Sequence, residues 1–268
     1  MTRIYEHARP VPEGIIIEDY TEDVEIGLLK TGKEADVLLI ERLAPDRSCL
    51  LAEKRYRPPE QRAFRNDLAY RAHRRIDGKR RDGDRLRKPT QGRALQLAMD
   101  RKSRFGRSAL ADRWIAAEET TLRRAWEAGA TVPFVVSRAP DGILMEYVGD
   151  RDAAAPRLAQ YRAERGELRD LFEQLRANLL VFARIGIVHA DLSAYNLLVW
   201  EGRLWVIDLP QAVPYLDNDE ATDFLHRDVF NVCSWFLRKG LEIDPEELFV
   251  EVVNALFDHQ MQDLFRAH

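Results

Sequence analysis

His189-Ala190-Asp191-Leu192-Ser193-Ala194-Tyr195-Asn196, followed twelve residues later by Asp208 in Val206-Ile207-Asp208, is the stretch on which the reading of this chain turns. Between its two halves lie Leu197–Trp200, a Glu201-Gly202 turn and Leu204–Ile207, the pattern of a short hairpin with polar residues at both ends. An Asp and an Asn five apart on a loop can face one cleft, and a hairpin returns the second Asp to the same place. Taken singly, Asp191 and Asn196 could cap turns and Asp208 could end a strand. The hairpin between them favours a shared site.

That residue set suits phosphoryl transfer, which asks little covalent chemistry of a protein. It needs a carboxylate to orient the attacking hydroxyl, oxygen ligands for a divalent ion and cations along a triphosphate. Asp191 is the candidate acid/base, and Asn196 and Asp208 are the candidate metal ligands.

Working outward, the chain toward its C-terminus reads as helical. Upstream of the loop, Leu168, Leu171, Phe172, Leu175, Leu179 and Phe182 recur at spacings of three and four, one buried face of a helix that Gly186 ends. Asp219–Gly240 and Pro245–Arg266 continue in the same manner. The N-terminal part reads as strands: Glu25–Lys30, Ala35–Glu41 and Cys49–Tyr56, then Phe134–Ser137 and Ile143–Val148 around an Asp141-Gly142 turn. Ala111–Ala128 carries a helical stripe of Trp114, Ile115, Leu122 and Trp126. No internal repeat is visible. The pattern predicts an α+β fold of two lobes with a site between them, the boundary falling near residues 148 and 149. Residues 1–24 form an N-terminal extension, 25–148 the strand-rich lobe and 149–268 the helical lobe.

Within the first lobe, Lys54 shares a strand face with Ala52 and Leu50 by the period of two, and a lysine on a core face needs an anion. Glu118 falls on the apolar stripe Trp114–Glu118–Leu122–Trp126, where an unpaired carboxylate is costly. Each therefore predicts the other. Gly32 permits a tight turn between the first two strands, and Lys33 beside it can reach phosphate.

The 268 residues carry a net charge of −4, with 46% hydrophobic and 32% charged side chains, enough for a sizeable core. The charge is uneven. Arg55 to Arg107 holds 18 basic and 6 acidic residues, a local balance of +12, which leaves −16 for the remainder. Within it, Ile76–Arg93 is rich in Gly and Arg, and the sequence predicts a flexible basic insertion over about 57–109. Such a block is a solvated face or, in a second reading, a surface for RNA. Two cysteines cannot staple a chain of this size, and no apolar run is long enough for a signal peptide or a membrane span, so a cytoplasmic protein is expected.

The motif set resembles the RIO family of atypical protein kinases. HADLSAYN and VID are similar to that family's catalytic loop and metal-binding Asp, with Ser193 where most protein kinases have Lys. Thr31-Gly32-Lys33-Glu34-Ala35 resembles its phosphate loop, and Trp114, Glu118 and Leu122 resemble its regulatory helix. Leu144-Met145-Glu146-Tyr147-Val148-Gly149 resembles its hinge, and Arg227-Asp228-Val229-x-Asn231-Val232 its late helix. The resemblance spans about Gly27 to Gly240. It implies a two-lobed kinase-like fold with a truncated activation segment, an ATP site with Mg²⁺ (or Mn²⁺), and serine/threonine protein kinase activity with autophosphorylation and ATPase turnover. It implies that Gly32, Lys33, Glu34, Ala35, Lys54, Glu118, Met145, Glu146, Val148 and Asn196 bind nucleotide, with Met145 behind the adenine and backbone groups of Glu146 and Val148 meeting it. Catalysis falls to Asp191, Asp208 and Lys54, with Asp208 also a candidate phospho-acceptor.

Departures from ordinary kinases shape the alternatives. Leu209-Pro210 follows Asp208, and about twenty residues separate it from Asp228, too few for the usual peptide-docking segment. An ATPase-driven switch on RNA or ribosomal particles is therefore the alternative function. A small-molecule kinase and a non-catalytic scaffold rank below it. His226-Arg227-Asp228 spells the usual kinase triplet but lacks the Asn, since position 233 is Cys, so Asp228 reads as a brace for the catalytic loop. Fewer than thirty residues precede the first strand, which suggests a compact member without a winged-helix domain.

Overall fold

A computed structural model describes residues 9–18, 20–57 and 104–266. The predicted flexible stretch Ile76–Arg93, and most of the basic block around it, lies outside the described residues.

Five strands form one antiparallel sheet: β1 (Glu22–Thr31), β2 (Ala35–Leu43), β3 (Ser48–Tyr56), β4 (Val135–Ala139) and β5 (Gly142–Glu146), in the order β1-β2-β3-β5-β4. The register sets Val37 against Lys54 and Lys54 against Ile143. Because directly opposed residues share a face, Lys54 is committed to the same side as Val37 and Ile143. Gly142 is required where β5 runs against β3, since a Cβ there would meet the Lys54 carbonyl oxygen at 2.2 Å. On the far side of the sheet, Leu38, Ile40, Leu51 and Leu144 make a small separate core. Ile16, in the segment before β1, is also fully buried, and its carbonyl accepts from Arg42.

Helix α1 (Arg104–Glu127) begins seven residues before Ala111, where the sequence pattern starts it. Its first turns hold Gly106, a poor helix former, ahead of the residues that the stripe marks in the sequence. Ile115, Leu122, Ala125 and Trp126 are buried, and Trp126 meets Phe134 edge-on at 4.9 Å.

The main core continues into the helical part. Helix α2 (Arg165–Arg184) starts with a capping box in which Glu164 and Glu167 satisfy each other's backbone N–H groups, and it buries Leu168, Leu171, Phe172, Leu175, Leu179 and Phe182. It stops at Ile185, and Gly186 takes φ 67° to turn the chain. The short strands that follow are β6 (Ile187–Val188), β7 (Leu197–Trp200), β8 (Arg203–Val206) and β9 (Val213–Pro214). β7 pairs with β8, and β6 with β9. Helix α3 (Ala221–Arg238) buries Leu225, Val229, Val232 and Phe236, and Phe236 meets Phe172 of α2 edge-on at 5.4 Å. Helix α4 (Pro245–Arg266) packs on α2 and α3. No helix among the described residues is long and apolar enough to cross a membrane.

Candidate active site

Three elements deliver the charged centre. The Lys54 Nζ of β3 donates to Glu118 Oε1 of α1 at 2.7 Å and to Asp208 Oδ1, just past β8, also at 2.7 Å. Glu118 is 2% exposed, so its carboxylate is tenable only with a counter-charge. Burial alone penalises the Lys54 ammonium, but the attraction of Glu118 and Asp208 outweighs that and raises its pKa. Burial raises Glu118, with Lys54 pulling it back. The adjacent Lys54 holds Asp208 down at about 2, so this carboxylate is ionised before any ligand arrives.

The loop carrying Asp191 is held in an uncommon backbone shape. Ala190 has φ 64° and Asp208 φ 70°, left-handed conformations that non-glycine residues rarely adopt. The first is secured from α3. Asp228, 1% exposed, accepts from the N–H groups of Ala190 at 2.7 Å and Leu192 at 3.0 Å, and Arg227 donates to the Ala190 carbonyl. Asp228 is thus a brace and not an acid facing the cleft. Burial pushes it up to about 7 against the pull of those two N–H donors. His189, also buried, meets the Ile207 carbonyl through Nε2 at 3.2 Å, which requires that nitrogen to carry the proton. Burial lowers its pKa and favours the neutral ring. The residue just before Asp208 is thereby tied to the loop that carries Asp191.

Asn196 completes the loop. Its Nδ2 donates to the Asp191 carbonyl at 2.8 Å, and Ile207 N donates to the Asn196 carbonyl at 3.0 Å. With the amide nitrogen spent, Oδ1 is the atom left for a ligand. Asp191 is open to solvent on one side, and the desolvation of its other side raises its pKa, with His189 opposing and the charge of Asp208 adding to the rise. Two oxygen donors, Asp208 and Asn196 Oδ1, fit an ion such as Mg²⁺ that keeps water and phosphate oxygens for its other positions. No group of three or more His, Cys, Asp or Glu among the described residues forms a self-sufficient metal cage.

The remaining sequence candidates fall around this centre. Gly32 N donates to Ala35 O at 2.9 Å to close the turn, and a Cβ on Gly32 would lie 2.8 Å from that oxygen. Ala35 is buried, the Glu34 carbonyl accepts from Arg57 N, and Lys33 is exposed at the turn. Met145 stands opposite Ala52, on the Lys54 face of the sheet. The expectation for Glu146 needs narrowing. Its N–H donates to Phe134 O at 2.8 Å, so only its carbonyl can meet a base. The Val148 carbonyl accepts from Ala155 N, which leaves its N–H as the group to offer. Sequence reasoning overlooked Lys30, whose charge is felt by Asp208 and which is itself repelled by Lys54.

The RIO domain model matches residues 80–248. The chain is 38% identical over 136 residues to "RIO-type serine/threonine-protein kinase Rio1" of Haloferax volcanii, covering 51% of this chain and 46% of that protein. It is 31% identical over 147 residues to the protein of the same name from Thermoplasma acidophilum, covering 55% of this chain and 76% of that protein. Against "Serine/threonine-protein kinase RIO3" of Homo sapiens it is 30% identical over 166 residues, 60% of this chain and 32% of that protein. The match thus spans about half the length of the haloarchaeal relative and less of the human one.

Proposed function

The chain belongs to the RIO domain family, and from that membership we propose that it is an ATP- and Mg²⁺-dependent phosphotransferase acting on serine or threonine hydroxyls, its own included. The observation that carries the proposal is the meeting of Lys54, Glu118 and Asp208 within hydrogen-bond distance, beside an Asp191–Asn196 loop whose shape is enforced from α3.

In this reading Lys54, oriented by Glu118, neutralises phosphate oxygens of the nucleotide. Asp208 and Asn196 Oδ1 hold the metal, which supplies charge neutralisation along the triphosphate. Asp191 orients the acceptor hydroxyl and receives its proton. Its raised pKa makes it a stronger base than an ordinary carboxylate. The Glu146 carbonyl and Val148 N–H frame the adenine. Incubation with Mg²⁺ and γ-labelled ATP, with free phosphate, phosphoserine and acyl-phosphate separated, tests this. Asp191→Ala should reduce label transfer to background, and wild-type transfer by that variant would remove Asp191 from the role.

A second reading is an ATPase-driven switch on RNA or ribosomal particles, in a reducing cytoplasmic setting. It draws on the short segment between Asp208 and α3, where Leu209 is buried and Val213 and Pro214 pair back onto β6. That leaves little backbone to dock a peptide. The reading predicts phosphate release well in excess of protein phosphorylation.

A further inference from the structure

Two further cations, Lys30 and Arg157, flank the charged centre from the sheet and from the helical part, near enough for their charges to act on each other. In the sheet, Lys30 of β1 stands opposite Val37, and Val37 opposite Lys54. Directly opposed residues of antiparallel strands share a face, so Lys30 lies on the Lys54 side, two strands out, or about 10 Å by strand spacing. On the helical side, Arg157 forms an isolated antiparallel bridge with Leu198 of β7. Leu198 follows Asn196 by two residues and so shares its side of the strand, which places Arg157 beside the Asn196 edge of the β7–β8 hairpin.

The two charges act on each other. Burial lowers the Lys30 pKa, the repulsion of Arg157 adds to that, and Asp208 pulls it back up while Lys54 lowers it further. Among the described residues neither Lys30 nor Arg157 has a carboxylate within ion-pair reach. Like charges gathered across a cleft without a counter-ion create a potential that an anion would relieve. The catalytic loop, meanwhile, brings no cation of its own. Ser193 stands between Asp191 and Asn196, and its Oγ accepts from Tyr195 N at 3.3 Å.

We infer that Lys30 and Arg157 form a two-sided clamp on the terminal phosphate of a bound nucleoside triphosphate, closing from the sheet and from the β7 edge. The clamp rests on the phosphotransferase reading. It takes over the charge neutralisation that Ser193 cannot give, and it makes the site prefer a triphosphate to a diphosphate.

The test is calorimetric titration of the full chain with Mg²⁺ plus the β,γ-imido analogue of ATP, and separately with Mg·ADP. The set comprises the wild type, Lys30→Gln, Arg157→Gln, their double variant, and the charge-keeping Lys30→Arg and Arg157→Lys. Each neutral variant should lose about tenfold in affinity for the triphosphate analogue, the scale of one charge-assisted phosphate contact. Affinity for ADP should stay within about twofold, and the charge-keeping variants should resemble the wild type. A double variant that keeps the wild-type ratio of triphosphate to diphosphate affinity, or that loses both affinities equally, overturns the clamp and leaves the phosphotransferase reading intact. A wild-type protein that binds neither nucleotide removes the underlying reading, and the clamp with it.

Discussion

Replacing Lys54 with Met tests the charged centre through stability as well as activity, and the size of the effect can be worked from the geometry. In the wild type one ammonium serves two carboxylates at 2.7 Å each, with the Glu118 side chain 1% exposed and the Asp208 side chain 37% exposed. Once Lys54 is gone, Asp208 can turn to water but Glu118 cannot, so Glu118 takes up a proton. Protonating a carboxyl of ordinary pKa 4.5 at pH 7 costs about 3.4 kcal/mol, at 1.36 kcal/mol per pH unit. That ceiling agrees with the ~3–5 kcal/mol typical of breaking a buried pair. At about 2–4 °C per kcal/mol for a chain of this size, the melting temperature should fall by about 7–14 °C at pH 7. The sign of the pH dependence follows. A carboxyl whose folded pKa is raised is cheapest below its unfolded value, so the deficit of Lys54→Met should open as pH rises from about 4.5 to 7 and shrink on acidification. Adding Glu118→Leu should recover most of the loss, because the stranded carboxyl is then absent. Thermal melts across pH 5–8 of both single variants and the double variant check this. A deficit independent of pH, together with additive single effects, would refute the coupling.

Three further perturbations probe the surrounding parts. Asp228→Asn leaves one of the Ala190 and Leu192 N–H groups facing an amide nitrogen, and should cost about 1–3 kcal/mol in denaturant titration. Because wild-type Asp228 is raised from 3.8 to about 7, its contribution is complete below pH 3.8 and lost as pH rises through 7. Stability of the Asn variant should therefore decline less than that of the wild type over that window. Asn196→Ala removes both the donor to the Asp191 carbonyl and the free Oδ1, and should raise the Mg²⁺ concentration needed for half-maximal turnover at least about tenfold. Gly32→Ala would force a Cβ to 2.8 Å from the Ala35 backbone carbonyl, so the turn must shift; it should weaken nucleotide binding by about tenfold in a fluorescence titration and lower the melting temperature.

What the sequence disclosed and what it hid follow from the regularity of each element. β2 and β3 pair without a break, so the period of two places Lys54 on the inner face, and the stripe on α1 places Glu118 to meet it. The Asp191–Asn196 loop is readable because residues five apart and a hairpin of two four-residue strands leave little freedom in where Asp208 returns. β1 is different. Its pairing slips between Glu25 and Gly27 and again between Leu28 and Lys30, and each slip changes which side chains face inward. Val24, Ile26 and Leu28 look like a core face by alternation, yet they are 40%, 48% and 60% exposed, while Lys30 falls on the Lys54 face of the sheet. Arg157 lies outside any strand, bridged to Leu198 and accepting from Gln160 N at 2.9 Å, and no periodic signal marks it. The start of α1 was hidden because its first turns hold Gly106, a poor helix former, and precede the residues of the stripe.

The double attachment of Lys54 also bears on the order in which ligands arrive. In the phosphotransferase reading Asp208 is the metal ligand, and because it is held at about 2, an entering ion would compete with no proton at neutral pH and have only the ammonium of Lys54 to displace. Asp208 and Asn196 offer two oxygens, too few to hold Mg²⁺ firmly against its own water. Metal alone should therefore bind weakly. A nucleotide changes this by bringing phosphate oxygens that serve the ion and at the same time give Lys54 another partner, so metal and nucleotide should each strengthen the other's binding by the same factor. Lys54→Met separates the two contributions with opposite signs. It frees Asp208 and should tighten binding of Mn²⁺ alone, while it weakens the metal–nucleotide complex. Paramagnetic titration with Mn²⁺ reads the first and nucleotide calorimetry the second. If Mn²⁺ alone bound the variant no better than the wild type, the ion pair would not be what holds Asp208 in reserve.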